Sequence, residues 1–186
     1  MKEEIKPGYT RVTDVLFPLS GLGKIDPDIL KNAARRGTEV HQIVECIIKR
    51  LGRFDSEETK PYIDSFEQWY CGKKFVETSK RFYDDKYMVT GECDGIYEDE
   101  NGLTLVDFKT PRAESASWIV QGSAYSHMGK QVGYKINRIE FVQLMWTGKA
   151  AKSYFYKENF EMFIECLNVY KHFFKNKIQP IDTDYI

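Results

Sequence analysis

The chain has 186 residues, of which 42% are hydrophobic and 15% aromatic, and this composition suits one globular domain with a sizeable core. A net charge of −1 gives no support for bulk nucleic-acid affinity, although basic residues can still cluster locally. The apolar runs are too short to span a membrane, and no signal peptide is visible. The four cysteines lack a C-x-x-C spacing, which argues against a zinc site or disulfide framework and favours a reducing cytoplasm.

The first strong helix signal is Asp26-Pro27, an acidic cap followed by proline at the first turn. His41 lies on the apolar stripe of this helix, where histidine is commonly a satisfied core residue. Arg35-Arg36 lie just ahead of it and are either phosphate contacts or solvated surface charge. Glu45, one turn beyond His41, is a candidate to orient the ring. We expect the buried stripe to comprise Ala33, Ala34, Gly37, Val40, His41, Val44, Ile47, Ile48 and Leu51.

A second helix is predicted over 55–72, followed by a strand over 75–83. The helix carries an aromatic face that favours a core role over a base-stacking platform, formed by Tyr62, Phe66, Trp69 and Tyr70. Glu77 in the strand is read as an edge-strand charge or as a site residue.

Two strands joined by a tight turn then place charged residues together. The stretch 103–109 alternates strictly, so Asp107 and Lys109 share one face of a strand. Residues 87–97 form a second strand, and 99–102 have the composition of a hairpin turn. With that loop, Asp94 falls across from Asp107, with Cβ atoms roughly 5 Å apart, and Glu92 falls across from Lys109 as its charge partner.

Two facing carboxylates repel unless a cation lies between them. Mg²⁺ takes oxygen ligands of this kind together with water and phosphate, and a lysine beside it can stabilise negative charge that develops in the reaction. The alternative is that Asp107 and Lys109 are only an exposed ion pair on an edge strand. The hairpin therefore predicts a candidate site for metal-dependent phosphodiester hydrolysis.

The remaining chain completes an α/β pattern. A helix capped by Ser115 or Ser117 runs to about Met128 and presents Trp118, Gln121 and Tyr125 on one face, a set spaced for one side of a helix. Strands over 135–146 and 150–156 and a helix over 159–175 follow. The order predicts an α/β fold with a central mixed β-sheet flanked by helices.

Four short motifs occur in one order along the chain. They are Arg36-Gly37-Thr38-x-Val40-His41, Gly-x-x-Asp94, Asp107-Phe108-Lys109-Thr110 and Gln121-x-x-x-Tyr125. Together they resemble the PD-(D/E)XK nuclease superfamily, most closely its RecB-like exonuclease branch, which includes the Cas4-like nucleases. The resemblance covers roughly residues 9–146 and implies a restriction-endonuclease-like core.

The resemblance also implies roles for individual residues. Mg²⁺ or Mn²⁺ would be held by His41, Asp94, Asp107 and the Phe108 carbonyl, and Lys109 would assist the nucleophilic water. Supporting or DNA-holding roles fall to Gln121 and Tyr125, and Glu77 matches a recurrent glutamate of RecB-like enzymes. The cysteine group that holds an iron–sulfur cluster in Cas4-like relatives is not evident here.

We therefore expect a Mg²⁺- or Mn²⁺-dependent deoxyribonuclease, an exonuclease rather than a sequence-specific endonuclease, because no separate specificity domain is visible in 1–186. Its size suits a phage or mobile-element enzyme in recombination or repair, working in the cytoplasm of a bacterial or phage-infected cell. DNA is the expected partner, and a recombinase or single-strand-binding protein is a further candidate partner. The alternatives are a structure-specific or restriction-type endonuclease and a catalytically silent DNA-binding protein of the same fold.

Overall fold

The structure is a computed structural model that describes residues 4–20 and 25–175. A 3₁₀ turn, Phe17–Leu19, extends the first helix, and a π-helical turn, Lys171–Lys175, extends the last. The helices and strands follow in the order β1 (Thr10–Arg11), α1 (Val12–Leu16), α2 (Pro27–Ile48), α3 (Lys60–Tyr70), β2 (Lys74–Asp84), β3 (Val89–Asp99), β4 (Gly102–Lys109), α4 (Ser117–Gln131), β5 (Ile136–Gln143), β6 (Lys152–Tyr156) and α5 (Phe160–Tyr170).

A six-stranded mixed sheet is arranged around β3. Strands β2 and β4 pair antiparallel with β3, whereas β1 pairs parallel with the first two residues of β3. Strand β5 runs parallel to β4, and β6 runs antiparallel to β5. Parallel neighbours need a crossover connection, and α4 provides it between β4 and β5. The predicted α/β class with a central mixed sheet between helices is therefore confirmed.

The sheet separates two apolar cores because successive side chains of a strand point to opposite faces. On β4, Leu105 packs with α1, α4 and α5, whereas Val106 and Phe108 pack with α2 and α3. Of the predicted aromatic face of α3, Tyr62 and Phe66 are buried in the second core, which confirms the core role. Both faces of the sheet are thus covered near the strand ends that carry Asp107 and Lys109.

Helix α2 begins as predicted, because Asp26 Oδ1 accepts hydrogen bonds from the amides of Asp28 (2.9 Å) and Ile29 (3.2 Å). Its buried side chains are confined to the second half and are Val40, Ile43, Val44 and Ile48. The prediction that Ala33 and Ala34 are buried is therefore wrong, since the first half of α2 extends beyond the core and Ala34 is exposed.

Helix α3 begins five residues later than predicted, because hydrogen bonds between Ser56 and Thr59 form a turn ahead of it. The Arg53 guanidinium connects this turn to the helix, because it donates hydrogen bonds to Asp55 and to Asp64. Within residues 4–20 and 25–175, no helix is sufficiently long and apolar to cross a bilayer.

Candidate active site

The site lies where the edge of β3 changes partner. On that edge β1 pairs with Val89 and Thr90, and β4 pairs with 95–99, so residues 91–94 lie between the two pairings. A cavity of about 310 Å³ opens at this break. It is lined by residues of β1, α1, α2, β2, β3, β4 and α4, namely Arg11, Thr13, His41, Arg81, Thr90, Gly91, Glu92, Asp94, Asp107, Lys109, Gln121 and Tyr125.

The hairpin register agrees with the register expected from the turn. Gly95 pairs with Val106, so the next position of the same register sets Asp94 against Asp107. Backbone pairing of β3 with β4 ends at Gly95, and the Asp94 carboxylate then takes over, because its Oδ2 accepts the Phe108 amide hydrogen at 2.6 Å. The strands therefore separate at the two carboxylates, which opens the cavity.

Asp94 is held in its charged form by its neighbours. Burial acts to raise its pKa, but the charge and hydrogen bond of His41 and the Phe108 amide outweigh it, and the pKa is lowered. His41 Nδ1 lies 2.7 Å from Asp94 Oδ1. Burial acts to lower the pKa of His41, but the Asp94 carboxylate outweighs burial and raises it. The two side chains thus form a part-buried ion pair between α2 and β3.

The pKa of Asp107 is raised, whereas that of Asp94 is lowered. Its side chain is 4% exposed, and burial raises its pKa to about 6, assisted by the Asp94 charge and opposed by Lys109. Lys109 Nζ lies 2.6 Å from Asp107 Oδ2, yet no hydrogen bond of good geometry reaches this buried oxygen from the described residues. Oδ2 is therefore a buried acceptor whose charge is only partly compensated.

Lys109 is fixed by residues other than the one expected. Its ammonium contacts Asp107 and donates to Gln121 Oε1 at 3.1 Å. The predicted partnership with Glu92 is wrong, because Glu92 pairs with Arg81 on the hydrogen-bonded neighbour strand β2. The separation of β3 from β4 removes Glu92 from the reach of Lys109.

Helix α4 supports the site through two of its predicted residues. The Gln121 amide donates from Nε2 to Asp107 Oδ1 (3.4 Å) and to the Tyr125 hydroxyl (3.0 Å). Gly91 permits this arrangement, since a Cβ atom there would lie 2.1 Å from Tyr125 Cε1. The pKa of Tyr125 is raised well above its ordinary value by burial, so its hydroxyl stays neutral.

Five candidate residues do not line this cavity, and one of them, the buried Phe108, is a candidate only through its backbone carbonyl. Arg35 and Arg36 both pair with Glu58, at 2.6 and 3.5 Å. Glu77 accepts a hydrogen bond from Tyr134, which lies between α4 and β5, and pairs with a neighbouring lysine. Glu45 was expected to orient His41, but its carboxylate pairs with a lysine one turn later on α2, and Asp94 holds the ring instead.

Several lining residues were not predicted from the sequence. Arg11 and Thr13 come from the N-terminal segment, where a two-residue strand is too short for any periodic signal. Arg81 and Glu92 form a cross-strand pair that the β2–β3 register alone could have revealed. The site is therefore more cationic than the hairpin alone indicated.

The cavity contains candidate ligands for a metal ion. In 4–20 and 25–175, no group of three or more His, Cys, Asp or Glu side chains is arranged to hold a metal ion. Instead, Lys109 forms an ion pair with Asp107, and His41 forms one with Asp94. The donor chemistry nevertheless fits a hard divalent cation, because carboxylate oxygens converge at the break and Asp107 Oδ2 is a buried oxygen without a hydrogen bond.

Comparisons with known proteins give low-identity structural likenesses. The chain is similar to the crystal structure of SSO0001, with 13% identity, a TM-score of 0.48, and coverage of 97% of this chain and 82% of that one. It is also similar to an alkaline exonuclease (LHK-Exo) from Laribacter hongkongensis, with 11% identity, a TM-score of 0.44, and coverage of 91% and 93%.

The same exonuclease in complex with dAMP matches with 12% identity, a TM-score of 0.43 and coverage of 91% and 93%. All three TM-scores lie below 0.5, so these likenesses do not by themselves assign an activity. No protein-family model and no curated protein sequence matches the chain.

Proposed function

We propose that this protein is a metal-dependent DNA nuclease of the PD-(D/E)XK type, acting as an exonuclease of the RecB-like branch. One observation carries the proposal. Asp107 and Lys109 stand side by side at the break in the sheet, and Asp94 occupies the facing position. The Asp107 side chain is only 4% exposed and its pKa is raised to about 6 by burial, which is typical of a functional site and not of an exposed ion pair on an edge strand.

The residues that would hold Mg²⁺ or Mn²⁺ are Asp94, Asp107 and the Phe108 carbonyl, with His41 as a nitrogen ligand. A bound divalent cation supplies a water of lowered pKa and neutralises phosphate charge. Lys109 would release Asp107 Oδ2 when the cation binds, which frees its ammonium for the substrate. His41 would keep Asp94 oriented or exchange that contact for the metal.

The protein's own groups support hydrolysis of a phosphodiester. Gln121 restrains both Lys109 and Asp107, so the ammonium is preorganised beside the carboxylates. A fixed positive group of this kind stabilises the negative charge that develops on phosphate in the transition state. Arg11 adds positive charge to the wall of the same cavity, whereas the charge of Arg81 is compensated by its partner Glu92. These groups together favour an anionic substrate over a neutral one.

The cavity of about 310 Å³ is of the size of a single nucleotide. The choice of an exonuclease over a restriction-type endonuclease follows from the resemblance of the four motifs to the RecB-like branch, and circular DNA tests that choice.

The test is a digestion series on end-labelled single-stranded, double-stranded and circular DNA, with Mg²⁺, with Mn²⁺ and with EDTA. We expect metal-dependent release of short products from linear DNA and none from circles. Equal cleavage of circles would indicate an endonuclease. Binding without cleavage in either metal, by a folded protein, would instead identify a silent DNA-binding protein and refute the proposal.

A further inference from the structure

Helix α5 and the π-helical turn that follows it carry apolar side chains that face away from the core. The inner face of α5 is buried, because Phe163 and Leu167 pack with α1 and α4. On the outer face, Met162, Val169 and Phe173 are 37%, 44% and 56% exposed. Their spacing of seven and four residues places them on one side of a helix. We name these three residues the α5 stripe.

The α5 stripe is not covered by any other part of the described chain, since each of its side chains keeps more than a third of its surface exposed. Single exposed apolar residues are ordinary on protein surfaces. Three of them aligned over about three helical turns are instead typical of a helix face that packs against another element. The stripe therefore indicates an interaction surface.

The charged residues beside the α5 stripe are divided by sign along the helix. The acidic ones lie in the first half, the basic ones lie in the second half, and all are exposed: Glu161, Glu165, His172 and Lys175. None of these four forms an ion pair within the described residues, whereas Glu158, ahead of the helix, is paired with Lys130. Their spacing of four, seven and three residues sets them along one flank of the stripe.

This flank is complementary to itself when two copies of the helix run antiparallel. A two-fold axis through the middle of the stripe sets Met162 against Phe173 across the pair. The same axis brings the acidic end of one flank beside the basic end of the other, because the two-fold rotation makes the same flank of both helices meet. A parallel pair would instead set acid against acid, and like charges across an interface are unfavourable. The charge pattern therefore favours a second copy of this chain.

We infer that the α5 stripe is the interface of a homodimer in which two copies pair through α5 in an antiparallel, two-fold arrangement. The interface is isologous, so the same patch serves on both copies. No described residue of 160–175 lines the active-site cavity, so the contact itself closes neither cavity. The inference goes beyond the proposed nuclease function and does not depend on it.

The first test measures the mass of the unaltered protein against its concentration. One helix pair is at the small end of specific interfaces, which bury roughly 1,200 Å² or more, so we expect a dissociation constant in the micromolar range. Sedimentation equilibrium from about 1 to about 200 µM should show a mass that rises from 21.8 kDa towards twice that value. A monomer at every concentration would overturn the inference, whether another segment or another protein covers the stripe.

A substitution in the stripe shows whether the dimer uses it. Val169→Glu places a charge at the middle of the stripe and should weaken dimerisation by about tenfold or more. The matched control Val132→Glu places the same charge at another exposed apolar position, after α4, and should dimerise like the unaltered protein. Val169→Glu that dimerises normally would overturn the inference. Melting temperatures of both variants establish that they are folded.

The last test reverses the charges of the flank. One variant combines Glu161→Lys with Glu165→Lys, and a second combines His172→Glu with Lys175→Glu, so each carries a single sign of charge along the whole flank. Each variant alone should dimerise about tenfold more weakly than the unaltered protein, because like charges then meet at both ends.

Mixed in equal amounts, the two charge variants should associate with each other as tightly as the unaltered chains, because opposite charges again meet at both ends. All four positions are exposed, so these substitutions should leave the fold stable, and melting temperatures check this. Undiminished self-association of either variant, or a mixture that stays monomeric, would overturn the antiparallel pairing.

Discussion

Lys109 Nζ lies 2.6 Å from Asp107 Oδ2 on the same face of β4, and Gln121 bonds to both side chains. The alternation of the strand allows this contact, because positions two apart share a face. The pair leaves Asp107 with a raised pKa in spite of the adjacent cation, since burial dominates. A charged Asp107 carboxylate at neutral pH therefore destabilises the folded state. The first prediction follows from this destabilisation.

The first prediction concerns stability and pH in EDTA. The pKa of Asp107 is raised from 3.8 to about 6, so the folded state binds a proton that the unfolded state releases between these values. The stability from this group is present at low pH and is lost as pH rises through about 6. Asp107→Asn should therefore melt higher than wild type at neutral pH, by about 3 °C or more, with the difference shrinking towards pH 4.

The matched control for Asp107 is Asp99, at the far end of the same hairpin. Burial acts to raise the pKa of Asp99, but the Asn101 amide and Arg138 outweigh it and lower the pKa. Asp99→Asn should therefore lose stability at neutral pH, which is the opposite sign. Melting curves across the pH range compare the two, and an Asp107→Asn protein that melts lower than wild type at neutral pH would contradict the assignment. Asp107→Asn should also abolish cleavage.

The second prediction concerns Lys109. Its ammonium is expected to act on the substrate phosphate and water, so Lys109→Ala should reduce turnover by about a hundredfold or more. DNA affinity in Ca²⁺ should change much less. Lys109→Arg should not restore full activity, because a planar guanidinium cannot replace a compact ammonium beside Asp107. Single-turnover cleavage rates and anisotropy provide the two measurements.

Lys130→Ala is the control for Lys109, since Lys130 also pairs with a carboxylate, Glu158, at 3.0 Å, but lies outside the cavity. It should retain wild-type turnover. A stable Lys109→Ala protein with full activity would remove Lys109 from the catalytic set.

Much of the hairpin followed from the sequence. The strict alternation of 103–109 and the polar turn at 99–102 are local features, and they determine both the shared face of Asp107 and Lys109 and the register with β3. The N-terminal cap of α2 was equally local, because Asp26 acts on amides two and three residues away. Predictions of this kind needed no knowledge of distant contacts.

The late start of α3 has a local cause, the Ser56–Thr59 turn, whereas the other errors depended on long-range partners. Glu92 was assigned to Lys109 because the sequence does not show that the strands separate at Asp94, leaving Arg81 as the nearer cation. The apolar stripe of α2 was taken as buried throughout because its periodicity does not reveal where the sheet ends. Arg11 joined the cavity only through a two-residue pairing with β3, which has no sequence signal of its own.

The third prediction concerns His41, which contacts Asp94 through Nδ1 at 2.7 Å. If the histidine holds the metal or orients its carboxylate ligand, His41→Ala should shift the Mn²⁺ dependence of cleavage to higher concentration by about tenfold or more. A purely structural histidine would instead lower the melting temperature and leave the Mn²⁺ titration unchanged. Titrations of wild type and variant, with melting curves in EDTA, distinguish the two outcomes. Ile47→Ala, a partly buried position on the same helix, controls for packing loss.

The last prediction concerns Gly91, whose lack of a side chain allows the Tyr125 ring to approach the β3 backbone. An added Cβ would lie 2.1 Å from Tyr125 Cε1, which is too close for any real contact, so the ring must move. Because the Tyr125 hydroxyl accepts from Gln121, the displacement reaches the amide that restrains Lys109 and Asp107. We expect Gly91→Ala to cost about 2 kcal/mol of unfolding free energy and most of the activity.

A second substitution separates the steric effect from any other effect at Gly91. Tyr125→Ala removes the ring, so the added methyl group of Gly91→Ala should cost little further stability in the double variant. The double-mutant cycle is completed by chemical denaturation of four proteins: the wild type, both single variants and the double variant. It measures the coupling free energy between the two positions. Additive losses would show that Tyr125 is not what requires glycine at position 91. A coupling of about 1 kcal/mol or more would establish that the close approach of Tyr125 to β3 sets the geometry of the site.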